Sequence, residues 1–195
     1  MRISKLILAA IVATGAMASQ MVRADQCTTS GCGLNVNFSM NIPSVFRFTL
    51  GAAGSVPTVT WGAGTITAAN LGTTTNIPSD TVTNGGAGSN NTTQVRYALL
   101  SNLAGGTSVS IAASAGNLTS GGNTIPLTEI VSTTTAQTGS GIAMPAAGGN
   151  TGALPYPGSG VFNEVGYWNY AFDNQNIYAE GTYTGSITYT ATSSP

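Results

Sequence analysis

The residues able to do chemistry are few and scattered. Cys27 and Cys32 stand at C-x4-C spacing in CTTSGC. In an oxidising compartment such a pair reads first as a disulfide. Its loop is short, so the entropic gain is small beside that of a long-loop bridge. An intermolecular bridge or free thiols are the alternatives. Two cysteines without histidine make a poor metal site. Tyr167, Trp168 and Tyr170, with Phe172, Tyr178 and the distant Trp61, supply ring faces that could stack on a sugar. Strand alternation sets Tyr167 opposite Trp168, so at least one face of the cluster reads as core. Glu164 and Asp173 could serve as a glycosidase pair only if folding brought them together. Asp173-Asn174-Gln175-Asn176 offers oxygen ligands without a recognised calcium-loop pattern.

Composition excludes more than these residues suggest. Charged residues make up 6% of the 195, against about 25% in an average domain, and there is no histidine. Ser-His-Asp and Cys-His catalysis and histidine metal sites are therefore absent. Five Lys and Arg cannot form a face for nucleic acid. Hydrophobic content of 42% argues against disorder. No set of residues supplies a nucleophile, a base and a stabilising donor together, so neither an enzyme nor a cofactor is expected.

The N-terminus carries Arg2 and Lys5, then an apolar run from Leu6 to Ala13, then Ala16-Met17-Ala18 and Val22-Arg23-Ala24. This is the pattern of a secretory signal peptide, assigned to 1–24, and the apolar run is too short to span a bilayer as a helix. Ala24-Asp25-Gln26 does not prepare Cys27 for a lipid anchor. Removing 1–24 leaves Arg47 and Arg96 as the cations against six acids, and no lysine. A P-loop is thereby excluded. Residues 25–195 read as one β-sandwich domain with an N-terminal extension over 25–43.

The elements follow from periodicity. From Leu34 to Ile42 the chain alternates without a fault: Leu34, Val36, Phe38, Met40 and Ile42 on one face, Asn35, Asn37, Ser39 and Asn41 on the other. Period two predicts a half-buried strand, which Pro43 interrupts. Ser44 to Leu50 reads as a second strand or a continuation. Pro57–Trp61, Thr65–Thr67, Thr93–Leu100, Thr107–Ala112 and Ile125–Val131 are further strand candidates. Thr93–Leu100 and Thr107–Ala112 look like a hairpin or neighbouring strands. Residues 132–160, rich in Thr, Gly and Ala, read as a long loop or an extended edge. Val161–Phe172 and Gly181–Ala191 are the last strands, with Tyr183, Gly185, Ile187 and Tyr189 sharing a face. No mature segment has helical periodicity, so the fold class is all-β, a sandwich. Strands of the length a membrane barrel needs are scarce and aromatic girdles are absent.

Two stretches carry a resemblance. Leu34-Asn35-Val36-Asn37-Phe38-Ser39-Met40-Asn41-Ile42-Pro43 resembles the donor strand of alpha-type major subunits among the chaperone–usher pilins. Gly181-Thr182-Tyr183-Thr184-Gly185-Ser186-Ile187-Thr188-Tyr189 is similar to that family's closing strand with its Gly-x-Tyr-x-Gly pattern. The same ending, through to Pro195, also resembles WxL-type surface domains. Cys27 and Cys32 match no pilin pattern, and Ser193-Ser194-Pro195 runs past the usual end of a closing strand.

The resemblance implies an immunoglobulin-like sandwich lacking one strand, which a neighbouring subunit completes. Leu34, Val36, Phe38, Met40 and Ile42 would then fill pockets in the neighbour. It also implies a bacterial protein exported through the periplasm to the cell surface, served by a chaperone and usher and building a fimbria that supports adhesion or biofilm. Against this stands pairing of the same strand within its own sandwich, since alternation marks any half-buried strand. The functional alternative is a monomeric secreted sandwich that binds carbohydrate or cell-wall polymer.

Overall fold

A computed structural model describes residues 37–158 and 160–194. The signal segment, Cys27, Cys32, Leu34 and Val36 lie outside the described residues. The described chain falls into two units, 37–42 and Pro43 onward.

The second unit is all-β, as expected, with one short 3-10 turn at Leu127–Glu129. Its main sheet contains β1 (Phe46–Leu50), β3 (Ile77–Pro78), β5 (Gln94–Ser101), β9 (Ile130–Thr138) and β11 (Phe162–Phe172), all antiparallel. β11 lies at its centre, with β9 on one side; β5 and then β1 follow on the other, and β3 pairs with its end. A second sheet places β6 (Ser108–Ala113) between β10 (Leu154–Pro155) and β12 (Tyr189–Ser194). Two small pairs complete the unit: β2 (Thr58–Thr60) with β4 (Thr81–Thr83), and β7 (Asn117–Ser120) with β8 (Asn123–Pro126).

The core follows from alternation. In β5, Val95, Tyr97, Leu99 and Ser101 are buried, while Gln94, Arg96, Ala98 and Leu100 face outward. Val109, Ile111 and Ala113 of β6 and Phe162, Trp168, Tyr170 and Phe172 of β11 join them. Tyr97, Trp168 and Tyr189 form a run of rings with centroids 5.1 and 5.0 Å apart. Gly166 is required where Tyr97 crosses β11, because a Cβ there would stand 2.5 Å from the Tyr97 hydroxyl and 2.6 Å from the Thr135 carbonyl.

One side of this core is closed by the segment after β9. Ile142 is buried. Its N–H donates to the Tyr97 hydroxyl at 2.8 Å, and its carbonyl accepts from Trp168 Nε1 at 2.7 Å. Both ring polar groups are thereby satisfied inside the core, where leaving them unpaired would be costly. Glu164 holds the preceding turn, accepting from the N–H groups of Ser140 (3.1 Å) and Gly141 (3.0 Å).

Several expectations need correction. Thr93–Leu100 and Thr107–Ala112 are not a hairpin: β5 and β6 belong to opposite sheets, because each buries its alternate residues on the shared core. The stretch 132–160 divides, as expected, into an extended edge and a long loop: only 132–138 and Leu154–Pro155 are strand. Its first part belongs to β9, which pairs with β11 along eight positions, four of them threonines. Thr is β-branched and fits that pleated edge despite its polarity. The candidate Ile125–Val131 is broken by the 3-10 turn, and Thr65–Thr67 forms no strand.

Candidate functional site

Among the described residues no strand closes the other side of the sandwich, between β1 and β12. Residues paired directly across an antiparallel ladder share a face. Phe46, Phe48 and Leu50 pair with Ser101, Leu99 and Tyr97, all of which point into the core. The three β1 side chains therefore face inward, yet Phe46 is 37% exposed and Phe48 and Leu50 are only half-buried. β12 repeats the pattern. Tyr189, Ala191 and Ser193 pair with the buried Ala113, Ile111 and Val109, and each remains half-buried.

The two strands are the rims of one seam. The Tyr156 hydroxyl hydrogen-bonds to Ser101, the partner of Phe46, and lies 3.2 Å from Ser193 Oγ. Phe46 therefore stands at the level of Ser193. Tyr97, the partner of Leu50, packs against Trp168, which packs against Tyr189, so Leu50 stands near the level of Tyr189. β1 and β12 run antiparallel across the gap. A shallow cavity lined by Ser44, Leu103, Ala104, Gly106, Ser193 and Ser194 marks one end of it.

Both rims also present backbone. Asn102 N–H donates to Val45 O, and Gly51 N–H donates to Arg96 O. Odd-numbered residues of this segment thus turn toward β5, and the N–H and C=O groups of Phe46, Phe48 and Leu50 turn toward the seam. On β6, Ile111 and Ala113 bond toward the β10 side. Its even residues therefore bond to Thr190, Thr192 and Ser194, leaving Tyr189, Ala191 and Ser193 directed to the seam. Among the described residues no strand pairs with the seam-facing edge of either rim.

The sequence-predicted closing strand is displaced. Regular pairing begins only at Tyr189 and runs to Ser194, while Thr184 forms one bridge to Thr119. Gly185 packs against Asn117 and Leu118 and stays exposed. The alternation itself holds: Tyr183, Ile187, Tyr189 and Ala191 form one half-buried row packed against the core.

Of the N-terminal alternating set, Phe38 is 91% exposed, Met40 83% and Ile42 70%. Residues 37–42 pair with no strand in this single copy.

The aromatic platform is overturned. Trp168 is fully buried, and Tyr170 and Tyr167 are buried too. Trp168 and Tyr170 point into the core. Tyr167 points outward, but its hydroxyl donates to the Ala87 carbonyl at 3.2 Å, under the loop over the sheet. No ring face of the three is offered to a sugar. Burial pushes the Tyr170 hydroxyl pKa well up, helped by the neighbouring Tyr189, whose own pKa is also raised by burial. Tyr97 is raised for the same reason.

The acids do not converge either. Glu164 and Asp173 lie nine positions apart along an extended β11, about 30 Å at strand rise, against the roughly 10 Å at most that a glycosidase pair tolerates. Asp173 accepts from Gln175 Nε2. Asn174 is buried and holds the 70–73 turn through Gly72 N–H, Thr73 Oγ1 and Asn70 O, so it is not a free ligand. Asp80 accepts from Gly62 N–H and the Thr65 hydroxyl, which hold its carboxyl below the usual range. Among the described residues no three His, Cys, Asp or Glu gather as a metal site, and no helix is long and apolar enough to cross a membrane. Arg47 and Arg96 lie on the outer face of the main sheet, away from the seam.

Sequence reasoning missed Phe46, Phe48 and Leu50 as functional residues. Their signal is the alternation Phe46-Arg47-Phe48-Thr49-Leu50 beside a proline. No protein-family model matches the chain, and no curated protein matches it.

Proposed function

We propose that this chain is the structural subunit of a surface filament that grows by strand complementation. The segment Leu34–Ile42 of one copy fills the β1–β12 seam of the next. Its backbone pairs with the groups of Phe46, Phe48 and Leu50 on one rim and Tyr189, Ala191 and Ser193 on the other. Phe38, Met40 and Ile42, with Leu34 and Val36, cover the half-exposed inward rows.

The observation that carries the reading is a match of two unfinished surfaces. An inward-facing phenylalanine that is 37% exposed is a core residue without its cover. An alternating apolar segment whose described members Phe38, Met40 and Ile42 are exposed is a cover without its core. The rims Phe46–Leu50 and Tyr189–Ser193 each span five residues, about 13 Å at strand rise, which Phe38 to Ile42 matches in length. The scarcity of charge adds support, since edge lysines that discourage strand association are missing from the mature chain.

In this reading the chain is exported by its N-terminal signal and works at the cell surface, without catalysis or cofactor. A subunit with an open seam needs cover before assembly, which is the task of a periplasmic chaperone and an usher. Electron microscopy of the purified mature protein tests the reading. Fibres of constant width are expected, and single particles at all concentrations would overturn it.

A further inference from the structure

Three residues, Pro43 to Val45, separate the alternating segment from β1. A three-residue connection is enough for a β-hairpin. A reversal at 43–45 would lay the segment along the seam-facing edge of β1, inside the chain's own seam. Such closure is intramolecular, so its effective concentration would be of millimolar order, well above that of free neighbouring subunits. A subunit that fills its own seam neither accepts nor donates a strand. Assembly therefore requires something that opposes the reversal.

Among the described residues, the hydrogen bonds that hold 43–45 come from Asn102, on the opposite side. Asn102 follows the last residue of β5 and makes three hydrogen bonds to this connection. Its Oδ1 accepts from Val45 N–H at 2.5 Å, its Nδ2 donates to the Pro43 carbonyl at 3.1 Å, and its backbone N–H donates to the Val45 carbonyl at 3.0 Å. All three draw the connection toward β5, away from the open edge. Reversal would have to pull the Pro43 carbonyl off the Asn102 side chain. Pro43 adds stiffness through its fixed φ and offers no N–H to a turn.

We infer that Asn102 is a clamp that keeps the N-terminal strand from closing its own seam and so reserves it for a neighbour. The inference rests on the strand-complementation reading. Asn102 is a positioning residue: its hydrogen bonds reach the connection, at Pro43 and Val45.

The test is a double-mutant cycle on dilute, monomeric mature protein, read by urea unfolding, with polymer yield measured in parallel. In the native background Phe38→Asp should leave the urea midpoint unchanged, because Phe38 is 91% exposed. In the Asn102→Ala background the strand closes its own seam. There Phe38→Asp should lower the midpoint, and the yield of polymer from Asn102→Ala alone should fall roughly tenfold as closed monomers accumulate. Asn102→Asp keeps the acceptor for Val45 and loses the donor to Pro43, so it serves if the alanine variant folds poorly; the same outcome is expected. A purely structural role for Asn102 would make the two substitutions additive. Additivity, or normal polymer yield from the clamp variants, overturns the inference. The wild-type arm separates the two ideas: if native protein forms no polymer, or Phe38→Asp polymerises normally, the complementation reading fails, whereas the cycle reports on the clamp by itself.

Discussion

Phe38→Asp is the perturbation that most sharply separates a docked strand from an idle one. In the isolated subunit Phe38 is 91% exposed, so the substitution should change unfolding free energy by less than about 0.5 kcal/mol. In a filament the same ring would be buried in the neighbour's seam. Losing a phenylalanine's burial costs about 1.5–3 kcal/mol. Placing a carboxylate among Phe48, Leu50, Tyr189 and Ala191, where no described cation faces the seam, adds a further penalty of a few kcal/mol. A total near 4 kcal/mol weakens each junction by about a thousandfold. The assay is the critical concentration for polymer, measured by sedimentation, beside urea unfolding of the monomer. Polymer at the wild-type critical concentration would show that Phe38 does not dock in a neighbour's seam. So would a monomer that unfolds much earlier than wild type, because that would place Phe38 in its own core.

Other outcomes follow from the same geometry. Ala191→Arg should block the seam while leaving the strand free. Mixed with Phe38→Asp, which keeps its seam, it should form one-to-one dimers and no longer species, as gel filtration would show. Gly166→Ala should destabilise the fold by about 1–3 kcal/mol in a urea titration, since the new methyl meets Tyr97 and the Thr135 carbonyl. Alkaline stability should fall through the tyrosines. The pKa values of Tyr97, Tyr170 and Tyr189 are raised above 10.0 in the fold, so the unfolded chain loses their protons first. Their contribution is complete below the unfolded value and is lost as pH climbs from there toward the folded values. Urea midpoints above pH 10 should therefore decline, and Tyr189→Phe should flatten the decline.

The sequence is legible where alternation is strict and both faces have opposite character. β5, β6 and β11 follow from that rule, and so does the half-buried row from Tyr183 to Ala191. β9 escapes it because Thr133, Thr134 and Thr135 are alike on both faces, leaving no period to read. The pairing of β5 with β1 and β11 rather than β6 is a choice between two equally apolar partners. Spacing carries no record of that choice, which the shared core decides. The aromatic cluster misleads for a related reason. Trp168 and Tyr170 have polar tips, but Ile142 satisfies the indole N–H from a segment that reads as loop. The seam depends on which strand lacks a neighbour, a property of the finished sheets. The alternations of Phe38, Met40 and Ile42 and of Phe46, Phe48 and Leu50 are its local signals. Asn102 carries no sequence signal, because its partners are the backbone of Pro43 and Val45.

The most direct measurement places a benzophenone amino acid at position 38 of the mature protein and maps its photocrosslinks in assembled material. Isotope-mixed subunits distinguish bonds between copies from bonds within one. Crosslinks are expected between copies, landing on Phe46–Leu50 and on the row from Tyr183 to Ser193. Crosslinks confined to a single copy, or between copies on the outer face around Arg47 and Arg96, would contradict strand complementation.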